Sequence, residues 1–188
     1  MLYHVSSQSG LKVLTPHTSS HQNAYVYAVE NLTMGLLFGA KKDDFDFLLT
    51  ADETGLPEVY ECYPGALQSV YQGTRCSVYV VAEDGFQRGR TPWDQELVCE
   101  TAVPVQEEIV VDDLYRRLLA EEEQGKLRLF RYQFDDVYRE KIAGHIVDRM
   151  IRFDVDFEAR LRTDSRFSTH FKELVASLRT VLDGHLLP

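Results

Sequence analysis

Apolar positions recur with strand-like spacing over roughly the first 111 residues and with helical spacing beyond them. Residues 2 to 6 and 24 to 29 are rich in β-branched and aromatic side chains, which predicts two short strands. The stretch between them carries Gly10, Pro16, Ser19, Ser20 and Asn23, residue types that make turns and loops. Asn31 or Thr33 can cap a short helix with Leu32, Leu36 and Leu37 on one side. Residues 45 to 50 read as a strand. Residues 57 to 63 alternate apolar and polar side chains, as a half-buried strand does, until Pro64 and Gly65 break it. Residues 77 to 82 form the most apolar strand candidate and are expected at the centre of the sheet. A polar loop from Gln87 to Pro92 leads to Trp93. Two strand-like runs follow between Glu96 and Val111, separated at Pro104.

The spacing changes at Asp112 and Asp113, acidic residues suited to the positive end of a helix dipole. Leu114, Leu118 and Leu119 predict a helix that Gly125 can stop. Residues 127 to 134 are ambiguous. Asp135 or Asp136 can cap a second helix, with Ile142, Ile146 and Met150 on one stripe and Val147 and Ile151 beside it. A third helix is predicted from about Ser168, with Phe167, Phe171, Leu174, Leu178 and Val181 at steps of three and four, ending at Gly184. That stripe is core or, alternatively, a dimer interface. The division expected is a strand-rich region at 1–111 and a helical region at 112–188, packed as one unit.

The chain has 188 residues, 44% of them hydrophobic and 11% aromatic, which fits a globular protein rather than a disordered or fibrous one. Lys and Arg total 20 against 30 Asp and Glu, for a net charge of −10. An acidic surface repels phosphate backbones, so general nucleic-acid binding is disfavoured. Cys62, Cys76 and Cys99 form no Cys-x-x-Cys pair and lie in apolar strand surroundings. Buried, reduced thiols are expected, which suits the cytoplasm. No basic segment followed by an apolar core opens the chain, and no apolar run approaches the ~20 residues of a membrane helix. His17 and His21 are four apart, but their Ser- and Thr-rich segment reads as a loop, so no metal site is expected.

His4-Val5-Ser6 on the first strand and Tyr27-Ala28 on the second resemble the opening motifs of the ADP-ribosyltransferase fold. The resemblance covers roughly residues 1 to 111 and implies an α+β fold with a split antiparallel sheet, followed here by C-terminal helices packed on it. It implies that NAD is the substrate, that His4 and Ser6 lie at its ribose, and that Tyr27 stacks on nicotinamide. It also implies a carboxylate at the start of a later strand, for which Glu96 is the candidate catalytic residue. Cleaving the nicotinamide bond builds positive charge on the ribose, so a carboxylate beside it and an aromatic surface under the ring make chemical sense. Arg88 and Arg90, in the polar loop, could contact a pyrophosphate. Tyr25 shares the face of Tyr27, and Glu100 that of Glu96, so parity alone leaves both pairs open.

Two readings follow. One is an enzyme that binds NAD and transfers ADP-ribose to an unidentified acceptor, acting as monomer or dimer. The other is a non-catalytic nucleotide-binding or protein-interaction module on the same fold. Val5 motivates the second, because it stands where the family commonly has Gly and a side chain there hinders close backbone approach to a ligand.

Overall fold

Among the described residues these elements follow one another: β1 (Leu2–Ser6), β2 (Val13–Leu14), β3 (His17–Thr18), β4 (Ala24–Val29), α1 (Leu32–Leu36), β5 (Phe47–Ala51), β6 (Pro57–Glu61), α2 (Ala66–Tyr71), β7 (Cys76–Val81), β8 (Glu96–Cys99), β9 (Val103–Val111), α3 (Leu114–Glu123), β10 (Arg128–Phe130), α4 (Asp136–Arg152) and α5 (Phe157–Thr163). They come from a computed structural model that describes residues 1–18, 23–43, 45–91, 93–165, 169, 171, 178 and 180. The class is α+β. The chain divides into two units, one of Met1–Lys41 with Val70–Leu127, the other of Lys42–Ser69 with Arg128–Pro188. This is a different division from one at residue 111. Helix α3 groups with the first unit, and residues 42–69 group with the C-terminal part, because β10 pairs in parallel with β6 and ties segments about seventy residues apart.

The first unit is built on a seven-stranded sheet in the order β2-β9-β7-β1-β4-β3, with β8 added on β4. Every pairing in it is antiparallel. β7 is buried along its whole length, in keeping with the central place its apolar run predicts. One face of the sheet carries Leu2, Val26, Ala28, Tyr79, Val81, Leu97 and Cys99, packed with Leu14 and Val103. Burying each large apolar side chain of this set contributes about 1.5–3 kcal/mol. The other face carries α1. Gly35 makes this approach possible, since a Cβ there would come within 3.2 Å of Val29 and 3.4 Å of Val5. Asn31 caps α1 by accepting the Met34 N–H at 3.0 Å, and Asp113 caps α3 through the Arg116 N–H. Pro104 does not separate two strands. It lies inside β9, opposite Val13 of β2, and the pairing of β9 with β7 begins only at Val105, so the missing N–H costs that ladder nothing.

In the second unit a three-stranded sheet runs β10-β6-β5, antiparallel between β5 and β6. Asp135 caps α4 through the Tyr138 N–H at 2.9 Å. The helix buries Tyr138, Ile142, Ala143, Ile146, Val147 and Met150, whereas Ile151 is exposed at the edge of that stripe. The buried Glu61 carboxylate accepts the N–H groups of Leu67 and Tyr132, at 2.8 and 3.0 Å, and so joins the start of α2 to the exit of β10. The helix predicted from Ser168 lies mostly outside the described residues. Of its stripe, Phe171 and Leu178 are described and buried, while Phe167, Leu174 and Val181 are not described. Among the described residues no helix is long and apolar enough to cross a membrane.

Candidate functional site

Strand β1 is paired unequally on its two sides. All five of its residues register with β7, from Leu2 opposite Val81 to Ser6 opposite Ser77. Towards β4 there is one registered pair, Tyr3 with Val29. Beyond that pair the imidazole of His4 takes over, with Nδ1 2.7 Å from the Tyr27 carbonyl oxygen. A carbonyl oxygen can only accept, so Nδ1 carries the hydrogen and donates it. In the neutral ring Nε2 is then the acceptor. Burial holds the His4 pKa below its ordinary value, the Tyr27 carbonyl opposes this, and the nearby His17 adds to it.

Aromatic rings gather at the N-terminal end of β4. β3 sets His17 opposite Tyr25. The His17 and Tyr27 rings meet edge-on with centroids 6.2 Å apart, and Tyr27 meets Tyr25 at 5.9 Å and 84°. Such T-shaped pairs add about 0.5–1.5 kcal/mol beyond the area they bury. Tyr25 is buried, and the Arg90 guanidinium near its phenol donates to Glu100 at 2.8 Å. The Tyr25 phenol first, and Glu100 after it, hold the Arg90 pKa above its usual value. Arg88 is ion-paired with Glu30.

Glu96 starts β8 opposite Val29, with its N–H on the Trp93 carbonyl at 3.0 Å. Alternation along the strands sets the faces. His4 lies opposite Tyr79 and shares a face with Leu2 and Ala28; Tyr27, Val29 and Glu96 belong to the other face. The structure thus brings the His4 and Tyr27 strands together, yet it brings neither the Tyr27 nor the Glu96 side chain to the face of His4. Glu100, not Glu96, is the carboxylate on the Arg90–Tyr25 cluster. Ser6 ends β1 and accepts the Gln8 N–H at 3.1 Å.

Glu108 does structural work that strand spacing alone does not reveal. Its Oε1 accepts the Gly10 N–H at 2.8 Å and the Ser77 hydroxyl at 2.7 Å, with the Tyr79 hydroxyl at 3.3 Å. These bonds, the Gly10 N–H first, depress its pKa. Tyr79 also bonds the Gln8 carbonyl and the Leu11 N–H, so the segment after β1 is pinned over the His4 face. Only the tertiary pairing of β7 with β9 brings Glu108 to Tyr79.

Among the described residues no three His, Cys, Asp or Glu side chains converge as a metal set. His17 stands on β3, and His21 lies outside the described residues. No family model, curated protein or solved structure matches the chain.

Proposed function

We propose that the first unit is a nucleotide-binding module on an ADP-ribosyltransferase-like sheet, which binds NAD or a related nucleotide where β1 parts from β4 and does not transfer ADP-ribose. His4 contacts a ribose hydroxyl, Tyr27 and Tyr25 offer aromatic surface to a heteroaromatic ring, and Arg90 exchanges Glu100 for a phosphate oxygen. The observation that carries this reading is the His4–Tyr27 contact, made where β1 and β4 stop pairing. Binding without transfer is supported by Val5, which stands where the family commonly has Gly.

The second reading is ADP-ribosyl transfer with Glu96 as the stabilising carboxylate. It draws on one observation, that Glu96 and Tyr27 share a face of the sheet. Nicotinamide release from NAD separates the two. Binding with no release above the background is the result expected here. Release that Glu96→Ala abolishes would establish the transferase instead.

A further inference from the structure

Helix α4 of the second unit buries one stripe, with Ile142, Ile146 and Met150, and carries a second regular stripe on its opposite side. Val137, Lys141, Gly144, Asp148 and Ile151 follow one another at steps of four, three, four and three, so they line one face of the helix. The apolar residues at the two ends of this stripe lie in water, Val137 being 79% and Ile151 48% exposed. Lys141 and Asp148 are exposed as well. Among the described residues, nothing lies within 4 Å of where a Cβ on Gly144 would stand. A glycine in mid-helix weakens the helix relative to alanine, and close approach of a second backbone is a reason for one to stand there.

We propose that α4 is a self-association surface, through which two copies of this chain pair antiparallel about a two-fold axis at Gly144. Reversed in direction, the stripe is its own complement. With a second α4 laid antiparallel across Gly144, Val137 of each copy faces Ile151 of the other. Lys141 of each faces Asp148 of the other, and the two glycines meet on the axis. Each contact then occurs twice with the roles exchanged, as a two-fold axis requires. A parallel pair would instead set lysine on lysine and aspartate on aspartate. Asp148 now lies 3.5 Å from Arg152, in an exposed pair that water screens, so that contact does not oppose the exchange. Lys141 holds its ammonium 3.6 Å from the centre of the Tyr60 ring and stays exposed. Five residues a side are far fewer than the roughly 20–30 of a standard interface. The pair therefore forms at high concentration and parts before the chain unfolds, which leaves the thermal midpoint independent of concentration.

Sedimentation equilibrium of the full chain between about 10 µM and about 1 mM tests this. The weight-average mass should climb from that of one chain, 21.6 kDa, towards that of two. Val137→Glu and Ile151→Lys each set a charge against an apolar side chain in the pair, so each variant should keep the mass of one chain. Both positions are exposed, and an acid early in the helix and a base late in it suit the helix dipole, so both variants should fold. Mixed in equal amounts, the two variants should regain the dimer. The introduced carboxylate then faces the introduced ammonium, and the remaining Ile151 faces the remaining Val137. A wild type that keeps the mass of one chain throughout would overturn the proposal. Undiminished association of either variant alone would place the contact elsewhere and overturn it too. A mixture no heavier than its components would overturn the antiparallel register.

Discussion

His4 and Tyr27 are joined through a ring nitrogen and a main-chain oxygen 2.7 Å apart, although their side chains belong to opposite faces of the same sheet. This one bond fixes the imidazole tautomer and bridges β1 and β4 where their ladder ends.

Burial of the imidazole, which the bond opposes, has a consequence for stability. The folded state holds the His4 pKa below the 6.5 of an ordinary imidazole, so the folded chain favours the neutral ring. Below that value the unfolded chain takes up a proton that the folded chain resists. The stability tied to the neutral ring is present above pH 6.5 and is lost as pH falls through the folded pKa. Urea denaturation at pH 7.5 and 5.5 should show a larger acid loss in the wild type than in His4→Gln.

Two glycines should respond in opposite directions to alanine. At Gly39 an added Cβ would lie 2.8 Å from the Cys76 sulfur and 2.9 Å from Leu114 Cδ2. Gly39→Ala should therefore cost about 1–3 kcal/mol, the usual cost of overpacking. At Gly144, inside α4, a Cβ meets nothing within 4 Å. Gly144→Ala should stabilise by about 0.5–1 kcal/mol, because alanine loses less backbone freedom in a helix. Denaturation midpoints of the two variants check both signs.

Phe171 is fully buried and meets the Tyr63 ring edge-on at 6.1 Å. Phe171→Ala should cost about 3–5 kcal/mol. With the partner ring in the same chain, the wild-type thermal midpoint should not depend on protein concentration. An unchanged midpoint in the variant would contradict the burial.

Cys62, Cys76 and Cys99 are all buried thiols. Burial pushes the Cys76 thiol up to about 11 against the opposing charge of Arg117. The thiolate is the reactive form, so a thiol reagent at neutral pH should label the native protein slowly and the denatured protein at all three positions.

Local chemistry made some of this fold legible. Of the paired candidates, Asn31 rather than Thr33 and Asp135 rather than Asp136 cap their helices, and Asp113, one of two acidic residues expected at a helix start, caps α3. The continuous apolar run of β7 likewise shows in the residues themselves, whereas β6, whose alternation predicts a half-buried strand, is buried at four of its five positions, Glu61 among them. Pairing over long distances did not show there. Nothing local in Arg128–Phe130 says that it runs parallel to Glu58–Tyr60, and that pairing is what joins residues 42–69 to the C-terminal part. The six residues of α2 and the two-residue strands β2 and β3 are too short for a periodic signal. The candidate site divides in the same way. Parity placed Tyr25 with Tyr27 and Glu96 with Glu100. Which face these pairs take relative to His4 depends on register between strands, where one residue of slip reverses every side chain.

The most direct test of the binding account is a calorimetric titration of the full chain with NAD at neutral pH, repeated on Tyr27→Ala. Saturable one-to-one binding to the wild type, weakened at least about tenfold in the variant through loss of roughly 1.4 kcal/mol or more of ring contact, is the result predicted. No heat of binding in the wild type, or equal affinity in Tyr27→Ala, would contradict it.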